Sequence, residues 1–564
     1  MTTPVLAPGR VPAGARTGVP AVAARIAAAH LRALGCEVAE AGAALDCQAG
    51  PLRARCELSW SGPLLLDLAS EADVQAACGL THVHGRRYGR PTPLGVAYAS
   101  TLAGALAATG TLAALLADGD GCGCGDGCGD RGRPEPRVVT TSVAQAALLS
   151  IGQYLAAATA EADRAEDAAA PAERLQPGAE GGPPFLSADG VRFELETLDP
   201  ECWLRFWAAL GADRRTAGRG WLPFQQRYAT AVCPLPPELH RLTRQFAFAE
   251  LQVPAAEAGV DLTHVAARPH AVPEDADGVP WRIRPVAGHR VVERSAAGRR
   301  GAPLAGVTVV EVARRVQGPL AGHLLRLLGA RVVRIEPVGG DPMRGLPPMA
   351  GDCSARFTAL NHGKETLEAD LADPAGRAAV RELAAGADVF LHALAPGKDR
   401  SLGLDAAALT AEHPGLVHVS ASGWGEDRGA RPPIGTDFPV QAWSGLAALV
   451  TPPGLPAAPS LFTLTDVLGG VVCAEGAVAG LLAARLTGRG QAVTSSLLSA
   501  AWLLCRPEVR QPVDGAAPGV PDCTDLARLA ADPRFAPALE HGTHGTHAPH
   551  GLCTLVRSPW GFPR

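Results

Sequence analysis

The stretch Gly306-Val-Thr-Val-Val-Glu-Val-Ala-Arg-Arg-Val-Gln-Gly-Pro-Leu-Ala-Gly-His-Leu-Leu-Arg-Leu-Leu-Gly-Ala-Arg-Val-Val-Arg-Ile-Glu336 decides the fold. It contains a short β run, an apolar helical pattern that ends at Gly329, and a second β run that Pro337 stops. The same alternation continues along the chain, with β runs at 306–312, 330–336, 387–392 and 416–421 and helical patterns at 319–328, 374–385 and 404–412. Strands that alternate with helices of this length predict an α/β fold with a doubly wound parallel sheet.

The composition is that of a globular protein with large cores. The chain has 564 residues, 47% apolar and 19% charged, which predicts two or more domains. Lys plus Arg is 51 and Asp plus Glu is 56, so no basic excess indicates nucleic-acid binding. Every long apolar run is broken by Gly or polar residues, and residues 1–10 lack a signal pattern. We therefore expect a cytoplasmic protein without a membrane partner, whose 14 cysteines are reduced and mostly in the core.

One acid stands at a predicted helix N-terminus. Asp466 follows a strand-like run at 460–465 and precedes a long apolar helical pattern from about residue 467 to 486. Free N–H groups and the macrodipole favour an anion there, which would keep the carboxylate ionised and exposed, as a nucleophile must be. The alternative is that Asp466 only caps the helix.

The chain contains an internal repeat. Residues 29–41 are similar to 322–334 with a one-residue gap, and Val74-Gln-Ala-Ala-Cys-Gly-Leu80 is similar to Val440-Gln-Ala-Trp-Ser-Gly-Leu446. Residues 101–117 align without gaps on 467–483. In this register Ser100 lies opposite Asp466, so the first copy has lost the acid.

A series of ordered motifs between residues 303 and 504 resembles the class III CoA-transferase family, the group of carnitine CoA-transferase, formyl-CoA transferase and α-methylacyl-CoA racemase. The motifs are Pro303-Leu-Ala-Gly-Val-Thr-Val-Val-Glu311, Gly318-Pro-Leu-Ala-Gly322, Leu328-Gly-Ala-Arg-Val-Val-Arg-Ile-Glu-Pro337, Leu360-Asn-His-Gly-Lys364, Asp370-Leu-Ala-Asp-Pro-Ala-Gly376, Ser422-Gly-Trp-Gly425, Gly435-Thr-Asp-Phe438, Gln441-Ala-Trp-Ser-Gly445, Thr465-Asp466 and Thr487-Gly-Arg-Gly-Gln491. The resemblance implies a Rossmann-like large domain with a smaller α+β domain.

The resemblance also implies an unusual domain order. Residues 20–165 resemble a degenerate large-domain copy, 183–286 a small domain, and 303–510 an intact large domain, with a tail at 511–564. The chain is thus similar to a tandem fusion. Because the family's subunits form interlocked dimers, we expect an intramolecular pseudo-dimer or a homodimer. The alternative is two separately folded domains joined by a linker.

The resemblance assigns roles to several residues. Asp466 falls on the family's catalytic aspartate, which takes CoA from an acyl-CoA and passes it to a carboxylic acid through aspartyl-anhydride and aspartyl-CoA intermediates. Gln317, in the loop after the first strand, is expected to hold the reacting oxygen, or else to be a solvated side chain. Gly469 and Gly470 are expected to let the ligand approach, or else to allow tight packing.

CoA carries three phosphate groups, so cations are expected at its site. The candidates are Arg314, Arg315, Lys364, Lys398 and Arg400. Each of them could instead be a solvated surface charge. The usual Arg after the second strand is Pro337 here, and the usual Asn-Phe-Arg is Ala393-Leu-Ala395, so the family's CoA contacts are incomplete.

Three further interpretations remain open. A catalytically weak or dead CoA-binding homologue is suggested by the incomplete CoA contacts. An acyl-CoA racemase or isomerase is disfavoured, because Thr436 stands where the racemases have an acid–base His and cannot take a proton from an α-carbon. A nicotinamide enzyme is disfavoured, because the loop after the first strand lacks GxGxxG.

No resident cofactor and no metal is expected, with CoA and acyl-CoA serving as substrates. Cys122, Cys124 and Cys128 lie in a Gly-rich stretch without a nearby His, which favours a loop insertion over a zinc site. His541, His544, His547 and His550 recur every third residue and favour a low-complexity tail over a metal site.

Overall fold

The large domain of the chain is built on one seven-stranded sheet. The computed structural model describes residues 18–118, 136–160, 182–270, 279–286, 302–425, 432–511, 515–541 and 553–563. We refer to 18–160 as the N-terminal region, 182–270 as the smaller domain and 302–511 as the large domain.

The N-terminal region and the smaller domain come first in the chain. The elements of the N-terminal region are α1 (Ala21–Ala33), β1 (Glu37–Ala41), β2 (Ala44–Ala49), β3 (Leu52–Ser59), α2 (Glu71–Ala77), α3 (Leu80–Gly85), α4 (Tyr98–Asp118), β4 (Arg137–Ser142) and α5 (Val143–Thr159). Those of the smaller domain are β5 (Phe185–Leu186), β6 (Arg192–Glu196), α6 (Pro200–Ala209), α7 (Arg214–Thr230), α8 (Pro237–Thr243), α9 (Phe248–Ala258) and β7 (Asp261–His264).

One strand, β8 (Trp281–Pro285), lies between the smaller domain and the large domain in the chain. The domain itself contains β9 (Thr308–Val312), α10 (Gln317–Leu327), β10 (Arg331–Glu336), β11 (Met349–Ala350), β12 (Cys353–Ser354), α11 (Ala355–Asn361), β13 (Glu365–Glu368), α12 (Pro374–Ala385), β14 (Val389–His392), α13 (Lys398–Leu402), α14 (Ala406–Glu412), β15 (Val417–Ser422), α15 (Asp437–Ser444), α16 (Leu446–Val450), α17 (Leu464–Thr487), β16 (Gln491–Ser496) and α18 (Leu497–Cys505). The last described elements are α19 (Leu526–Ala531), β17 (Leu539–His541) and β18 (Thr554–Val556).

The strand order of the large sheet confirms the α/β prediction. The order is β13-β10-β9-β14-β15-β16-β8, and all strands except β8 run parallel. The chain adds strands on one side of β9 and then crosses to the other side at β14. Val309 and Val310 on β9 are both buried, as expected for a parallel sheet covered on both faces. The crevice between the carboxyl ends of β9 and β14 is the topological switch point, where such sheets bind ligands.

Predicted and observed elements agree closely in the large domain, with one error. The helix predicted at 374–385 is α12, and the predicted strands differ from β9, β10, β14 and β15 by one or two residues. The strand predicted at 460–465 is wrong. Residues 456–463 are irregular, and α17 already begins at Leu464, so Asp466 lies inside its first turn.

The sheet of the N-terminal region is smaller and mixed. Strands β1, β2 and β3 form an antiparallel meander, and β4 pairs with β3 in parallel. The pair β3–β4 followed by α5 has the same arrangement as β15–β16 followed by α18. Ser142 and Ser496 cap these two helices with nearly identical backbone angles.

Two buried acids have matching contacts in the two regions. Glu71 accepts hydrogen bonds from the N–H groups of Ala99 (2.8 Å) and Ser100 (2.9 Å), at the start of α4. Asp437 accepts from those of Thr465 (2.7 Å) and Asp466 (2.9 Å), at the start of α17. Both acids thus cap a long helix from outside it. These pairs lie at the constant spacing that the sequence repeat predicts.

Two glutamines next to these acids match as well. Gln75 donates to Glu71 (3.0 Å), and Gln441 donates to Asp437 (2.6 Å). The side-chain oxygen of each glutamine accepts from a backbone N–H at 2.9 Å, that of Leu94 for Gln75 and that of Ser460 for Gln441. The two regions therefore have hydrogen-bond networks of the same kind at equivalent spacing.

The smaller domain packs an aromatic core beside the large domain. Trp203, Trp207 and Phe224 are fully buried between its helices and the sheet of β5, β6 and β7. The predicted boundary at residue 286 differs from the structure in one respect, because β8 leaves this domain and pairs with β16 as the seventh strand of the large sheet.

The segment predicted as a tail is packed onto the N-terminal region. Trp560 donates to the carbonyl of Leu106 (2.7 Å), and Gly561 pairs with Thr140 as an isolated bridge. The N–H of Cys523 donates to the carbonyl of Ala76 (3.0 Å). Residues 515–541 and 553–563 of the predicted tail therefore bury apolar side chains against the first half of the chain.

The N-terminal region and the large domain form one packed body, which contradicts two separately folded domains. Helices α4 and α17 are apolar on all sides and pack against each other. His30 contacts Glu475 (2.8 Å), and Tyr98 donates to the carbonyl of Leu464 (3.0 Å). Both helices are long and apolar enough to cross a membrane, but their apolar stretches are 100% and 94% buried inside the fold.

The described cysteines behave as predicted. All eleven are free thiols, and ten of them are buried, the exception being Cys202. They fill the core as small apolar side chains.

Candidate active site

Asp466 is not the cap of its helix. Its backbone N–H donates to Asp437, which also accepts from Thr465, so the capping acid comes from α15. The Asp466 side chain is half-buried and has no hydrogen-bond partner within the described part of the chain. The carboxylate is therefore held at the first turn of α17 with its oxygens free to react, and the capping alternative is excluded.

The electrostatic prediction for Asp466 requires a correction. Burial and the negative charge of Asp437 raise the pKa of Asp466 well above its usual range, Arg315 opposes this rise, and Glu196 adds to it. Burial also raises the pKa of Asp437, to about 6. The helix N-terminus alone does not keep Asp466 ionised, because desolvation and the charges of Asp437 and Glu196 favour its protonated form.

Arg315 is the cation that favours the ionised form of Asp466. It lies in the loop between β9 and α10, is exposed, and has a φ of +68°, in the left-handed region that costs a non-glycine residue about 1 kcal/mol or more. Backbone strain of this kind collects at functional sites. The charge of Arg315 acts on Asp466, and the predictions that Arg315 belongs to the site and binds CoA stay predictions.

The pH dependence of activity should reveal the effect of Arg315 on the ionisation of Asp466. If Asp466 is the nucleophile, only its ionised form can attack, so kcat/KM should rise with pH through its raised pKa. Arg315→Gln removes the charge that lowers this pKa, so the acid limb should move to higher pH, by about half a pH unit for an exposed pair. A kcat/KM profile from pH 4 to 9 measures the shift.

Arg314→Gln is the matched control for this experiment. Arg314 is also exposed and adjacent in sequence, but it does not contribute to the pKa of Asp466. Its replacement should leave the acid limb in place. Equal shifts in both variants would contradict the pairing of Arg315 with Asp466.

Gln317 lies against α17, the helix that carries Asp466. It begins α10, is 8% exposed, and donates a long hydrogen bond (3.4 Å) to the carbonyl of Ser422 at the end of β15. It also packs against Gly469, which lies one turn after Asp466 on the same helix face. The solvated-loop alternative is wrong for Gln317, and its role in holding the reacting oxygen remains a prediction.

Gly469 and Gly470 are packing positions. A methyl group on Gly469 would lie 2.9 Å from Leu497 and 3.1 Å from the Gln317 amide nitrogen, and one on Gly470 would lie 2.9 Å from the Gln317 carbonyl. Side chains of the protein fill the space that a ligand would need. The prediction that these glycines admit CoA is therefore wrong, and they allow α10 and α17 to pack closely.

Three of the predicted cations are placed around the switch point. Arg314 follows β9, while Lys398 and Arg400 follow β14, and all three are exposed. Because β9 and β14 are neighbours in the sheet, their carboxyl ends meet at the same crevice. Their topology is suited to binding phosphate groups there, which remains a prediction.

Lys364 is not available to CoA. Its ammonium group is buried and bonded to Glu311 (2.8 Å), the carbonyl of Pro319 (2.7 Å) and Asn361 (2.9 Å). Burial lowers the pKa of Lys364 to about 8, while Glu311 opposes this. The Asn-x-x-Lys motif therefore holds a buried ion pair, and a phosphate contact is wrong.

The smaller domain contributes residues that the sequence did not indicate. Thr436, just before Asp437, donates to Glu196 of β6, and Tyr228 of α7 donates to Thr436 (2.9 Å) and to Glu196. Arg227 forms a buried ion pair with Glu196 at 3.1 Å. No local motif marks Glu196 or Tyr228, since they are brought to Thr436 only by domain packing.

The corresponding position in the N-terminal region is closed. Ser100 is 1% exposed and its hydroxyl donates to Glu71 (2.6 Å). The chain at Val509 covers this helix start, because the N–H of Ala97 donates to its carbonyl. Ser100 therefore has neither the chemistry nor the access of Asp466.

Most of the residues weighed as metal ligands in the sequence lie outside the described part of the chain. Among the described residues no group of three or more His, Cys, Asp or Glu side chains is arranged to bind a metal. His541 contacts Thr554 at 3.0 Å in the β17–β18 hairpin. Cys122, Cys124, Cys128, His544, His547 and His550 lie outside the described residues.

A family model matches the chain in two segments, which are separated between the smaller domain and the large domain. The family model described as CoA-transferase family III matches residues 61–276 and 304–530. The second match includes Asp466 and extends beyond the predicted boundary at 510. The first match joins the N-terminal region to the smaller domain.

Individual relatives are similar over about a third of the chain. Acetyl-CoA:oxalate CoA-transferase of Acetobacter aceti is 34% identical over 197 residues, which are 35% of this chain and 51% of the relative. Human succinyl-CoA:glutarate CoA-transferase is 32% identical over 200 residues, 35% of this chain and 45% of the relative. A crystal structure of a CaiB/BaiF family protein from Brucella suis is 31% identical, covers 36% of this chain and 55% of its own, and has a TM-score of 0.34. The chain spans about half the length of the curated relatives it matches.

Proposed function

The chain belongs to CoA-transferase family III, and from this premise we propose that it is an enzyme that moves CoA from an acyl-CoA to a carboxylic acid, with Asp466 as nucleophile. The observation that carries the proposal is the free carboxylate of Asp466. It is presented at the first turn of α17 while a different acid, Asp437, caps the helix. A carboxylate without a structural partner among the described residues fits a covalent catalyst.

The proposed reaction proceeds in four exchanges. The Asp466 carboxylate attacks the thioester carbonyl, the C–S bond breaks, and CoA thiolate leaves a mixed anhydride. The thiolate attacks the aspartyl carbonyl, which releases the donor acid and forms an aspartyl-CoA thioester. The acceptor carboxylate then attacks this thioester and expels the thiolate, which finally attacks the acceptor carbonyl and restores the Asp466 carboxylate.

Gln317 and the switch-point cations complete the proposed site. The Gln317 amide packs against Gly469, one turn after Asp466 on the same helix face, and we assign it to the oxygen of the anhydride or thioester. Arg314, Arg315, Lys398 and Arg400 are assigned to the phosphate groups of CoA. No bound cofactor enters this scheme.

We also infer that the molecule is an intramolecular pseudo-dimer of a Rossmann-like fold. The strand order about β9 supports a Rossmann-like sheet. The repeated hydrogen-bond networks of Glu71 and Asp437 support a degenerate N-terminal copy. With Ser100 in place of Asp466, such a pseudo-dimer has one working site.

Trapping the intermediate tests the proposal. The full chain is incubated with succinyl-CoA without an acceptor, digested, and examined by mass spectrometry for CoA on the peptide that contains Asp466. We expect a CoA thioester on Asp466 that disappears when a carboxylic acid is added, with formation of the new acyl-CoA.

Two other outcomes distinguish the alternative functions. CoA binding without adduct or transfer, for a panel of acyl-CoAs, would favour a dead homologue. Loss of an α-deuterium from 2-methylacyl-CoA without an acceptor acid would favour a racemase. We expect no such exchange, because the Thr436 hydroxyl is a poor base and is held by Glu196 and Tyr228.

A further inference from the structure

Two arginines flank one buried tyrosine at the seam between the N-terminal region and the large domain. The guanidinium carbon of Arg86, from the turn after α3, lies 5.5 Å from the ring centre of Tyr154 on α5. That of Arg356, from α11, lies 5.7 Å from the same ring centre. Two cations are thus held close together, and each of them repels the other.

No described acid forms an ion pair with these two cations. Arg356 is 7% exposed, and among the described residues neither guanidinium forms an ion pair. Arg86 donates to the carbonyl of Thr230 (3.1 Å), a neutral partner. Burial lowers the pKa of Arg356 to about 10, which shows how poorly its charge is compensated. Elsewhere in the large domain buried cations have acids, as Lys364 has Glu311 and Arg334 has Asp341.

The same place gathers unused hydrogen-bond donors. Nε and Nη1 of Arg356 are buried and have no hydrogen-bond partner in the described part of the chain. The hydroxyls of Tyr154 and Thr463 lie within hydrogen-bonding reach of each other, so one of their two protons is left without an acceptor there. An unpaired buried donor costs about 1–3 kcal/mol, so the Arg356 donors and the remaining hydroxyl call for an acceptor. The oxygens of one anion would satisfy them.

This cluster lies beside the proposed nucleophile. Thr463 precedes Asp466 by three residues, about 4.5 Å along a helix axis. Phe462, next to Thr463, contacts the Tyr154 ring at 5.8 Å between ring centres. The switch-point cations assigned to the CoA phosphates belong to other loops, after β9 and β14. An anion held at Tyr154 would therefore be on the acyl side of the reacting carbonyl and not on the CoA side.

We propose that Arg356, Arg86, Tyr154 and Thr463 form a subsite for the second carboxylate of the substrate, so that the enzyme transfers CoA between dicarboxylic acids of short chain length. This assignment of dicarboxylic acids as substrates rests on the proposed function. Arg356 supplies a planar pair of donors suited to a carboxylate, and Arg86 supplies the second charge. The reacting carboxylate of the same acid then reaches Asp466. Two halves of the chain build this subsite together.

Substrate choice tests the subsite. CoA transfer from succinyl-CoA is measured with glutarate and with butyrate as acceptors, in the wild type and in Arg356→Met. We expect the wild type to prefer glutarate by at least about 100-fold in kcat/KM, since an unpaired buried charge rejects a ligand that cannot satisfy it. The variant should lose this preference.

The control variant is Arg331→Gln, which removes an exposed arginine paired with Glu365 and should keep the preference. A wild type that uses glutarate and butyrate equally well, or an Arg356→Met protein that keeps the preference, would overturn the subsite. We expect Arg356→Met to fold, because it removes a buried charge that no described acid compensates. We expect the melting temperature of this variant to stay the same or rise.

A binding measurement separates the subsite from the proposed function. Glutarate alone should raise the melting temperature of the wild type more than butyrate does, and Arg356→Met should abolish the difference. This readout requires no transfer, so it can succeed even if no adduct forms on Asp466. Equal shifts with the two acids would overturn the subsite even if the adduct is found.

Discussion

We expect Asp466→Ala and Asp466→Asn each to abolish CoA transfer, with kcat reduced by at least about 1,000-fold, because both remove the group that accepts the acyl chain and then CoA in the proposed reaction. Asn keeps the shape of the side chain and removes the charge, so a loss of activity in Asp466→Asn cannot be attributed to a cavity. Steady-state transfer from succinyl-CoA is the measurement. The thermal unfolding of both variants should match or exceed that of the wild type, since a half-buried acid of raised pKa is lost.

The repeat offers a matched control for this experiment. Ser100 holds the corresponding place in the N-terminal region, and Ser100→Ala should leave the transfer rate within about twofold of the wild type. Transfer by Asp466→Asn at the wild-type rate would refute the assignment of Asp466. A loss in Ser100→Ala as large as that in Asp466→Asn would show that the N-terminal region also takes part in the chemistry.

Lys364→Met should be the most damaging change to stability. It leaves the Glu311 carboxylate, which is fully buried, without the ammonium group at 2.8 Å. Breaking a buried pair on one side costs about 3–5 kcal/mol, and we expect the lower end, because Arg334 stays 3.6 Å from the same carboxylate. The carboxylate cannot move away towards α10, since it packs directly against Gly322. Denaturant unfolding followed by circular dichroism measures the loss.

The chain has only two lysines, and the second is the control. Lys398 is exposed, so Lys398→Met should change the free energy of unfolding by no more than about 0.5 kcal/mol. Adding Glu311→Gln to Lys364→Met should recover part of the stability, because the uncompensated charge is removed. A Lys364→Met protein as stable as the wild type would mean that the pair is not a structural ion pair.

The large domain was predictable because its sequence alternates in a simple way. Val309 and Val310 on β9 and the glycine after α10 mark elements whose bounds agree with the structure within a few residues. The error at 460–465 has a physical cause. Phe462 and Thr463 favour strands by residue type, but this segment is buried beside Tyr98 and Tyr154 and pairs with no strand, so tertiary packing overrides the local preference.

The candidate site was only partly predictable. Asp466 and Gln317 follow from ordered motifs, and Arg314, Lys398 and Arg400 follow strands that meet at one crevice. Lys364 was misassigned because a motif shows that a lysine is present but not that the fold places its ammonium group 2.8 Å from Glu311 of β9. Glu196 and Tyr228 could not be found, because no sequence pattern records which surface of the smaller domain packs on Thr436.

The contact between Tyr154 and Arg356 joins residues from two distant parts of a single polypeptide. In a protein assembled from separate subunits, such a meeting depends on encounter and is lost on dilution. Here the effective concentration of one half for the other is fixed by the covalent chain, far above any cellular protein level. Specific activity should therefore be independent of enzyme concentration down to the lowest amount that an assay detects.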